Sequence, residues 1–253
     1  MLDNLQYAIL RKIAPHDPKL MNGSTYDGKS KIAVSLGQEF LAKVRDKVVI
    51  DFGCGEGSAS LDLARAGARK VIGVDIIERR LEKAALRAAE AGLSEICEFT
   101  TRTEHRADVI ISLDAMEHFQ DPAAILDIMF DLLNPGGCVM LSFGPTWFHP
   151  LGGHFFSVFP WAHLIFSETA LIRWRGDLRS DKATRFSEVE GGLNQMTIAH
   201  FERLVRASQF RLQTLQLVPI RALRRVHCGL TRELTTAVVR AQLVHKFESC
   251  PVS

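Results

Sequence analysis

The chain has 253 residues, which is within the range of one large α/β domain, and 47% of them are hydrophobic, enough to fill a sizeable core. A charged fraction of 24% excludes a disordered or fibrous chain, and a net charge of +2 does not indicate a nucleic-acid or anionic-membrane partner. Five scattered cysteines without a C-x-x-C pair favour reduced thiols over a disulfide framework or a zinc site. No signal peptide and no apolar run of the roughly 18–20 residues needed to cross a bilayer is found. We therefore expect a soluble, cytoplasmic protein.

Short β-branched runs alternate with helix-period segments along most of the chain, which is typical of a parallel sheet with crossover helices. Before the alternation begins, two helices are expected around 2–13 and 29–45, joined by the turn-rich stretch NGSTYDGKS. The alternation itself predicts five strands, helices between them, the turn Asn134–Gly137, and then one helix and two last strands. The predicted strands are 47–53, 70–76, 95–101, 107–115, 138–144, 211–220 and 235–246, and the main helices are 58–68, 78–92, 122–133 and 196–210.

Residues 145–195 interrupt the alternation and hold most of the aromatic side chains. We interpret this segment as an inserted lid on an α/β core. The predicted organisation is a single domain with four parts: an N-terminal helical cap (1–46), a cofactor-binding core (47–144), the aromatic lid (145–195), and a C-terminal helix with the last strands (196–253).

The stretch DFGCGEG at 51–57 lies between the first strand and its helix. Glycines at such a turn let the backbone pass close to a ligand and direct free N–H groups toward it. The dinucleotide fingerprint G-x-G-x-x-G fails here, because Ser58 stands where its third glycine belongs. The acidic Asp51 that opens the loop would repel a pyrophosphate and suits a cationic cofactor with an ammonium group.

Asp75 ends the second strand and provides the second clue. A carboxylate at this position can accept hydrogen bonds from both ribose hydroxyls of an adenosine. A glycine-rich turn with a ribose-binding acid but no phosphate site predicts a nucleoside cofactor without phosphates.

With these motifs the chain resembles the class I S-adenosylmethionine-dependent methyltransferases, in particular their type 11 and ubiquinone-O-methyltransferase-like small-molecule branches. The matching stretches are VVIDFGCGEGSASLDLARAGA, VIGVDI, ADVIISLDAMEHFQDP and LLNPGGCVMLSFG, in the order and spacing of the family. The resemblance is strong over about 47–144 and weaker over 193–246. It implies a Rossmann-like, doubly wound sheet of seven mostly parallel strands in the order 3-2-1-4-5-7-6.

The resemblance also implies where the cofactor binds. Asp51, Gly53 and Gly55 would hold its methionine end, while Asp75 would hold the ribose. The family usually has an acidic residue after the third strand to read the adenine amino group, whereas this chain has Thr100-Thr101-Arg102. The full set of implied cofactor-binding residues is Asp51, Phe52, Gly53, Cys54, Gly55, Asp75, Ile76 (on the adenine), Thr101, Leu113 and Asp114.

Candidates for the methyl-transfer chemistry follow the fourth strand. An oxygen acceptor must lose its proton to a base or have its pKa lowered by a metal. Asp114, Glu117 and His118 would share one face of a starting helix and suit Mg²⁺ or a similar divalent ion. A comparable E-x-x-E-H set occurs in ubiquinone-type and small-RNA 2′-O-methyltransferases. Two other interpretations remain open: a capping box with Asp114 as N-cap and Glu117 at N3, and His118 as a metal-free base.

The predicted lid contributes His154 and His163, either as catalytic groups or as packed lid residues. Basic residues recur at 173–185 and 221–232, as solvated faces or as a recognition site for a carboxylate or phosphate on the acceptor. The sequence thus predicts an S-adenosylmethionine-dependent methyltransferase for a small molecule, most simply an O-methyltransferase, with an anionic acceptor as one option. Transfer to nitrogen, carbon or an RNA terminus, and a non-catalytic cofactor-binding module, are the alternatives.

Overall fold

The computed structural model describes residues 2–13 and 30–246, except for 178, 180, 181 and 190. Within these residues the strands are β1 (Val48–Phe52), β2 (Lys70–Val74), β3 (Cys97–Thr100), β4 (Ala107–Leu113), β5 (Leu133–Phe143), β6 (Phe210–Pro219) and β7 (Thr236–His245). They form one seven-stranded sheet in the order β3-β2-β1-β4-β5-β7-β6. Neighbours from β3 to β5 are parallel, whereas β7 runs antiparallel to both β5 and β6. The predicted fold class and strand order are confirmed.

Helices cover both faces of the sheet. Adjacent residues of each central strand point to opposite sides, and both sides are apolar, so both must be buried. In β1, Ile50 belongs to the apolar cluster that includes Leu126 and Phe201, while Val49 belongs to the cluster that includes Ile32 and Leu61. The α-helices in the described residues are α1 (Leu2–Ile13), α2 (Lys31–Leu36), α3 (Ser58–Arg65), α4 (Glu78–Glu90), α5 (Pro122–Leu132), α6 (Ala162–Ile165), α7 (Glu168–Gly176), α8 (Ile198–Ala207) and α9 (Arg232–Thr235).

The N-terminal region differs from its prediction. The single helix expected at 29–45 is divided, because Gly37 has a φ of +95° and separates α2 from a 3-10 helix at Gln38–Val44. The Ser30 side chain caps α2 by accepting a hydrogen bond from the Ala33 N–H. The predicted turn NGSTYDGKS lies almost entirely outside the described residues. α1 is present as expected and packs on α7.

The predicted turn Asn134–Gly137 belongs instead to β5, which begins at Leu133. The pairing of β5 with β4 shifts between Ala107 and Val109. Residues 134–137 are therefore an irregularity within β5. A side chain at Gly137 would lie 2.8 Å from the carbonyl oxygen of Asp108, which explains the glycine at this close approach.

Residues 145–195 form short helices around their own apolar cluster, which includes Phe156, Trp174 and Phe186 and takes in Leu10 from α1. The segment follows β5 directly and is joined to the residues before α8 by a hydrogen bond from the Trp147 N–H to the carbonyl of Met196. It therefore lies at the carboxyl edge of the parallel strands, where ligands of open α/β sheets bind. Its role as a lid stays a prediction.

In the part of the chain that the structure describes, no helix has both the length and the apolar character needed to cross a membrane.

Candidate active site

The loop after β1 is held tightly to the end of β2. The N–H groups of Gly53 and Cys54 both donate to the carbonyl of Val74, at 2.8 and 3.0 Å, and the Gly57 N–H donates to Cys54. The expectation of free N–H groups at these glycines is therefore wrong. What the glycines supply is conformation, since Gly53, Gly55 and Gly57 have φ values of +81°, +55° and +78°.

Asp75 fixes this loop and faces the cavity. Its carboxylate accepts hydrogen bonds from the Gly55 N–H at 2.8 Å and from the Ile77 N–H at 2.9 Å, and the residue lines the large cavity described below. Next to it, Ile76 has 88% of its surface exposed and lines the same cavity. An acid beside an exposed isoleucine matches what a ribose and an adenine ring would contact.

Asp51 is buried behind the loop and does not line the cavity. The Ser60 hydroxyl donates to its Oδ2 at 2.6 Å. Burial raises the pKa of Asp51, while the Ser60 hydrogen bond and the positive charge of Lys31 oppose this rise. Ser60, in the first turns of α3, was not singled out by the sequence analysis.

Lys31 is a second group that the sequence did not indicate. From the start of α2 its Nζ donates to the carbonyl of Leu113 at 3.0 Å and lies 3.4 Å from Oδ2 of Asp114. It brings a cation to Leu113 and Asp114 at the end of β4, two of the predicted cofactor-binding residues. A single lysine in an N-terminal helix has no local pattern that would predict this placement.

The β3–β4 loop forms the far end of the cavity. Thr101, Arg102, Thr103 and Glu104 all line it. Glu104 is an exposed carboxylate three residues after Thr101, so it offers the acid that the resemblance led us to seek directly after β3.

A cavity of about 1590 Å³ joins these elements. From the predicted lid, Phe155 and the residues around Val189 line it as well, and so does His118. Of the predicted site residues, those that line the cavity are Phe52, Gly53, Asp75, Ile76, Thr101, Asp114 and His118; those that do not are Asp51, Cys54, Gly55, Leu113, Glu117, His154 and His163.

The capping-box interpretation of Asp114 and Glu117 is wrong. The helix here is a three-residue 3-10 turn, Met116–His118, whose N-cap is Ala115 and whose N-terminus receives no side-chain hydrogen bond. Asp114 has a φ of +51°, so the chain turns away before a capping geometry can form. Glu117 is instead buried, and its Oε1 accepts a hydrogen bond from the Gly144 N–H at the end of β5.

Glu117 and His118 meet His154 rather than Asp114. One ligand atom from each of these three residues lies within 4.8 Å of the others, and Asp114 is outside this group. The imidazole rings of His118 and His154 contact each other edge to face, with centroids 5.2 Å apart. The predicted metal set therefore changes from two carboxylates and one imidazole to one carboxylate and two imidazoles.

A hydrogen bond orients the His118 ring. Its Nδ1 lies 2.8 Å from the carbonyl of Gly192, which can only accept, so Nδ1 is the donor of this pair. Burial lowers the pKa of His154 to about 4. Its Nε2 is buried and has no hydrogen-bond partner among the described residues.

Glu117 completes the group with an unpartnered, buried Oε2. Burial raises the pKa of Glu117, and the neighbouring His118 opposes the rise. Unpartnered polar atoms are costly when buried. Ligand atoms of Glu117, His118 and His154 thus lie close together, and two of them, Glu117 Oε2 and His154 Nε2, have no hydrogen-bond partner among the described residues.

His163 is held apart from this group. Its Nε2 lies 2.6 Å from the carbonyl of Trp147 and its Nδ1 lies 3.2 Å from the Ser157 hydroxyl. Both nitrogens are therefore used inside the predicted lid. A Cβ at Gly153 would lie 2.4 Å from Cβ of His163, so this glycine allows the two segments to pack closely. His163 is therefore a packed residue with both ring nitrogens hydrogen-bonded.

The described residues of the two basic segments do not line the cavity. Its lining includes none of 173–177, 179, 182–185 or 221–232, and the arginines that do line it are Arg80, Arg102 and Arg106.

Known proteins resemble this chain in sequence and in fold. The ubiquinone biosynthesis O-methyltransferase of Neisseria meningitidis serogroup C is 39% identical over 108 residues, which are 40% of this chain and 45% of that protein. The chain thus matches less than half the length of such curated relatives. Magnesium protoporphyrin IX methyltransferase from Synechocystis, solved with bound SAH, superposes with a TM-score of 0.54 at 19% identity, over 97% of this chain and 96% of that one.

A putative sarcosine dimethylglycine methyltransferase from Galdieria sulphuraria has a TM-score of 0.56 at 11% identity, over 95% of this chain and 97% of that one. These superpositions show a shared fold. The family profile described as "Methyltransferase domain" matches residues 28–215, which is most of the chain. The chain belongs to this family, the class I S-adenosylmethionine-dependent methyltransferases.

Proposed function

We propose that the protein transfers a methyl group from S-adenosylmethionine to an oxygen atom of a small molecule. The observation that carries the proposal is the continuity of the cavity. Its wall passes from Asp75 and Ile76, which suit an adenosine, to His118, Phe155 and the segment around Val189. A cofactor and an acceptor would therefore meet in one space, as an in-line displacement requires.

Each part of the cofactor has a matching group in this chain. Asp75 would accept the ribose hydroxyls, Ile76 would pack on the adenine, and the Lys31 ammonium would offset the carboxylate at the methionine end. When bound, the cofactor supplies an electrophilic methyl group on a positively charged sulfur. The remaining task of the protein is to orient the acceptor and to take up its proton.

The group of Glu117, His118 and His154 supports an oxygen acceptor. A hydroxyl needs a base or a metal before it attacks, and this group offers two imidazole lone pairs and a carboxylate next to the cavity wall. His118 lines the cavity and is the closest of the three to an acceptor, while His154 lies behind it. Amine or carbon acceptors remain the alternative. An RNA terminus gains no support, because the described residues of the two basic segments do not line the cavity.

We further propose that Glu117, His118 and His154 hold a divalent metal ion. Two buried ligand atoms without a partner fit a cation, since it would satisfy both at once. One carboxylate and two imidazoles favour Zn²⁺, Mn²⁺ or Fe²⁺ over the Mg²⁺ suggested by the sequence, because Mg²⁺ prefers oxygen ligands. Such an ion would supply Lewis acidity that lowers the pKa of an acceptor hydroxyl.

A cytoplasmic location is part of the same proposal. The four cysteines in the described residues (Cys54, Cys97, Cys138 and Cys228) are all unpaired, and free thiols are typical of reducing compartments.

Incubation of the protein with S-adenosylmethionine and a panel of phenols, enols, alcohols and amines tests the function. We expect S-adenosylhomocysteine release only with oxygen acceptors, and mass spectrometry should find the product heavier by one methylene group. Transfer to amines alone, or none despite measured cofactor binding, would overturn the O-methyltransferase proposal while leaving the cofactor site intact.

Replacement of His154 tests the catalytic group. We expect His154→Ala to lower the methyl-transfer rate at least about tenfold, roughly 1.4 kcal/mol of barrier, because it removes one of the lone pairs behind His118. Cofactor affinity should stay unchanged, since Asp75 and the β1 loop do not contact His154. The matched control is His163→Ala, whose nitrogens serve only the packing of 147–163. Equal loss in both variants would show that the effect comes from packing.

A further inference from the structure

The connection between β6 and β7, residues 220–235, lies at the same edge of the sheet as the candidate site. Val239, early in β7, pairs with Phe143 at the carboxyl end of β5. The Glu233 carboxylate accepts a hydrogen bond from the Ile198 N–H at the start of α8, at 3.0 Å. The connection is thereby anchored to the body of the protein close to the residues that enclose the cavity, yet none of it lines the cavity.

The outer part of this connection presents apolar side chains on an ordered turn. The Thr231 hydroxyl donates to the carbonyl of Val226 and accepts from the Cys228 N–H at 3.0 Å. On this turn Leu230 is 97% exposed and Val226 is 56% exposed. A hydrogen-bonded turn therefore holds two large apolar side chains in water, four residues apart in the chain.

Three arginines precede these apolar side chains in the same connection. Arg221, Arg224 and Arg225 are all exposed, and no acidic residue occurs between 220 and 232. The local charge is thus strongly positive although the whole chain carries only +2. Apolar side chains that can enter the headgroup region, flanked by arginines that attract anionic headgroups, are the features of an interfacial membrane-binding segment. An RNA backbone would match the arginines but not Leu230 and Val226.

We propose that residues 221–230, the β6–β7 tip, dock on the surface of an anionic lipid bilayer. Leu230 and Val226 enter the headgroup boundary while the three arginines pair with lipid phosphates. The carboxyl edge of the sheet then faces the bilayer. This proposal goes beyond the proposed function and does not rest on it, because docking needs neither cofactor nor acceptor.

Co-sedimentation of the full chain with vesicles tests this docking. We expect binding to vesicles of equal parts phosphatidylcholine and phosphatidylglycerol, and little binding to phosphatidylcholine alone. Each arginine near the surface contributes about fivefold to the affinity, so Arg224→Ala with Arg225→Ala should weaken binding about 25-fold. High salt should weaken wild-type binding, because it screens this attraction.

Leu230→Asp removes the apolar contact and adds repulsion, and we expect it to weaken binding at least about tenfold. The matched controls are Leu86→Asp on α4 and Arg69→Ala before β2, both exposed and remote from the β6–β7 tip. Their binding should equal that of the wild type. All variants change exposed side chains, so melting temperatures should agree.

Three results would overturn the proposal. The first is absence of binding to the anionic vesicles, and the second is equal loss of binding in the tip variants and in the controls. The third is light scattering that shows a dimer lost in Leu230→Asp, which would assign the tip to a second copy of the chain. None of these results bears on methyl transfer, so the proposed function is tested separately.

Discussion

Asp75→Ala should weaken S-adenosylmethionine binding by about 2–4 kcal/mol, or roughly 30- to 900-fold, because two hydrogen bonds to a charged group are lost. The structure adds a second reason, since the same carboxylate holds the N–H groups of Gly55 and Ile77. Its removal therefore also frees the loop that would contact the cofactor. Titration calorimetry with S-adenosylmethionine and S-adenosylhomocysteine measures this effect.

Glu98→Ala is the matched control for Asp75→Ala, because it removes an exposed carboxylate from β3, the neighbouring strand, where it pairs with Lys70. We expect its cofactor affinity to equal that of the wild type. Asp75→Asn keeps one acceptor oxygen, so its cofactor affinity should lie between those of Asp75→Ala and Glu98→Ala. Wild-type affinity in Asp75→Ala would remove the ribose assignment and with it the orientation of the cofactor.

Removal of divalent metal should abolish turnover, and Zn²⁺ or Mn²⁺ should restore it better than Mg²⁺. The reason is the donor set of Glu117, His118 and His154, whose two imidazoles suit a transition-metal ion. Metal content by mass spectrometry after dialysis provides a measurement independent of activity. His118→Ala should lose the bound ion, whereas His105→Ala, on an exposed loop, should retain it.

Full activity in chelator, with no metal in the purified protein, would contradict the metal proposal. The same three residues would then act as a metal-free base group, and the loss expected in His154→Ala would still distinguish them from packed side chains. Restoration by Mg²⁺ alone would instead favour the set of Asp114, Glu117 and His118 that the sequence suggested, because it contains two carboxylates.

The sequence by itself determined the elements whose cause is local. Continuous apolar runs such as VVIDF and KVIGV predict strands buried on both faces, and the strands β1 and β2 occur where these runs stand. The position of Asp75 is predictable in the same way, because a residue that follows a parallel strand lies at the carboxyl edge of the sheet. The resemblance supplied the strand order, which depends on crossovers that no local pattern reveals.

Only the tertiary structure decided which side chains meet. His154 joins Glu117 and His118 across 36 residues because β5 brings the chain back to the end of β4, whereas Asp114, four residues from His118, turns away at its positive φ. Spacing along a helix could not show this, since the expected helix is a single 3-10 turn.

Lys31 was decided in the same way, because its position depends on its contact with Leu113, far away in the sequence. The anchoring of the β6–β7 tip likewise depends on the hydrogen bond from the Ile198 N–H to Glu233. The basic run at 221–232 is visible in the sequence, but only the fold shows that Val226 and Leu230 within it are exposed. Sequence patterns show which segments form strands and helices and which of their faces are buried. The chemistry of a site depends on distances between side chains, and these are set by tertiary packing.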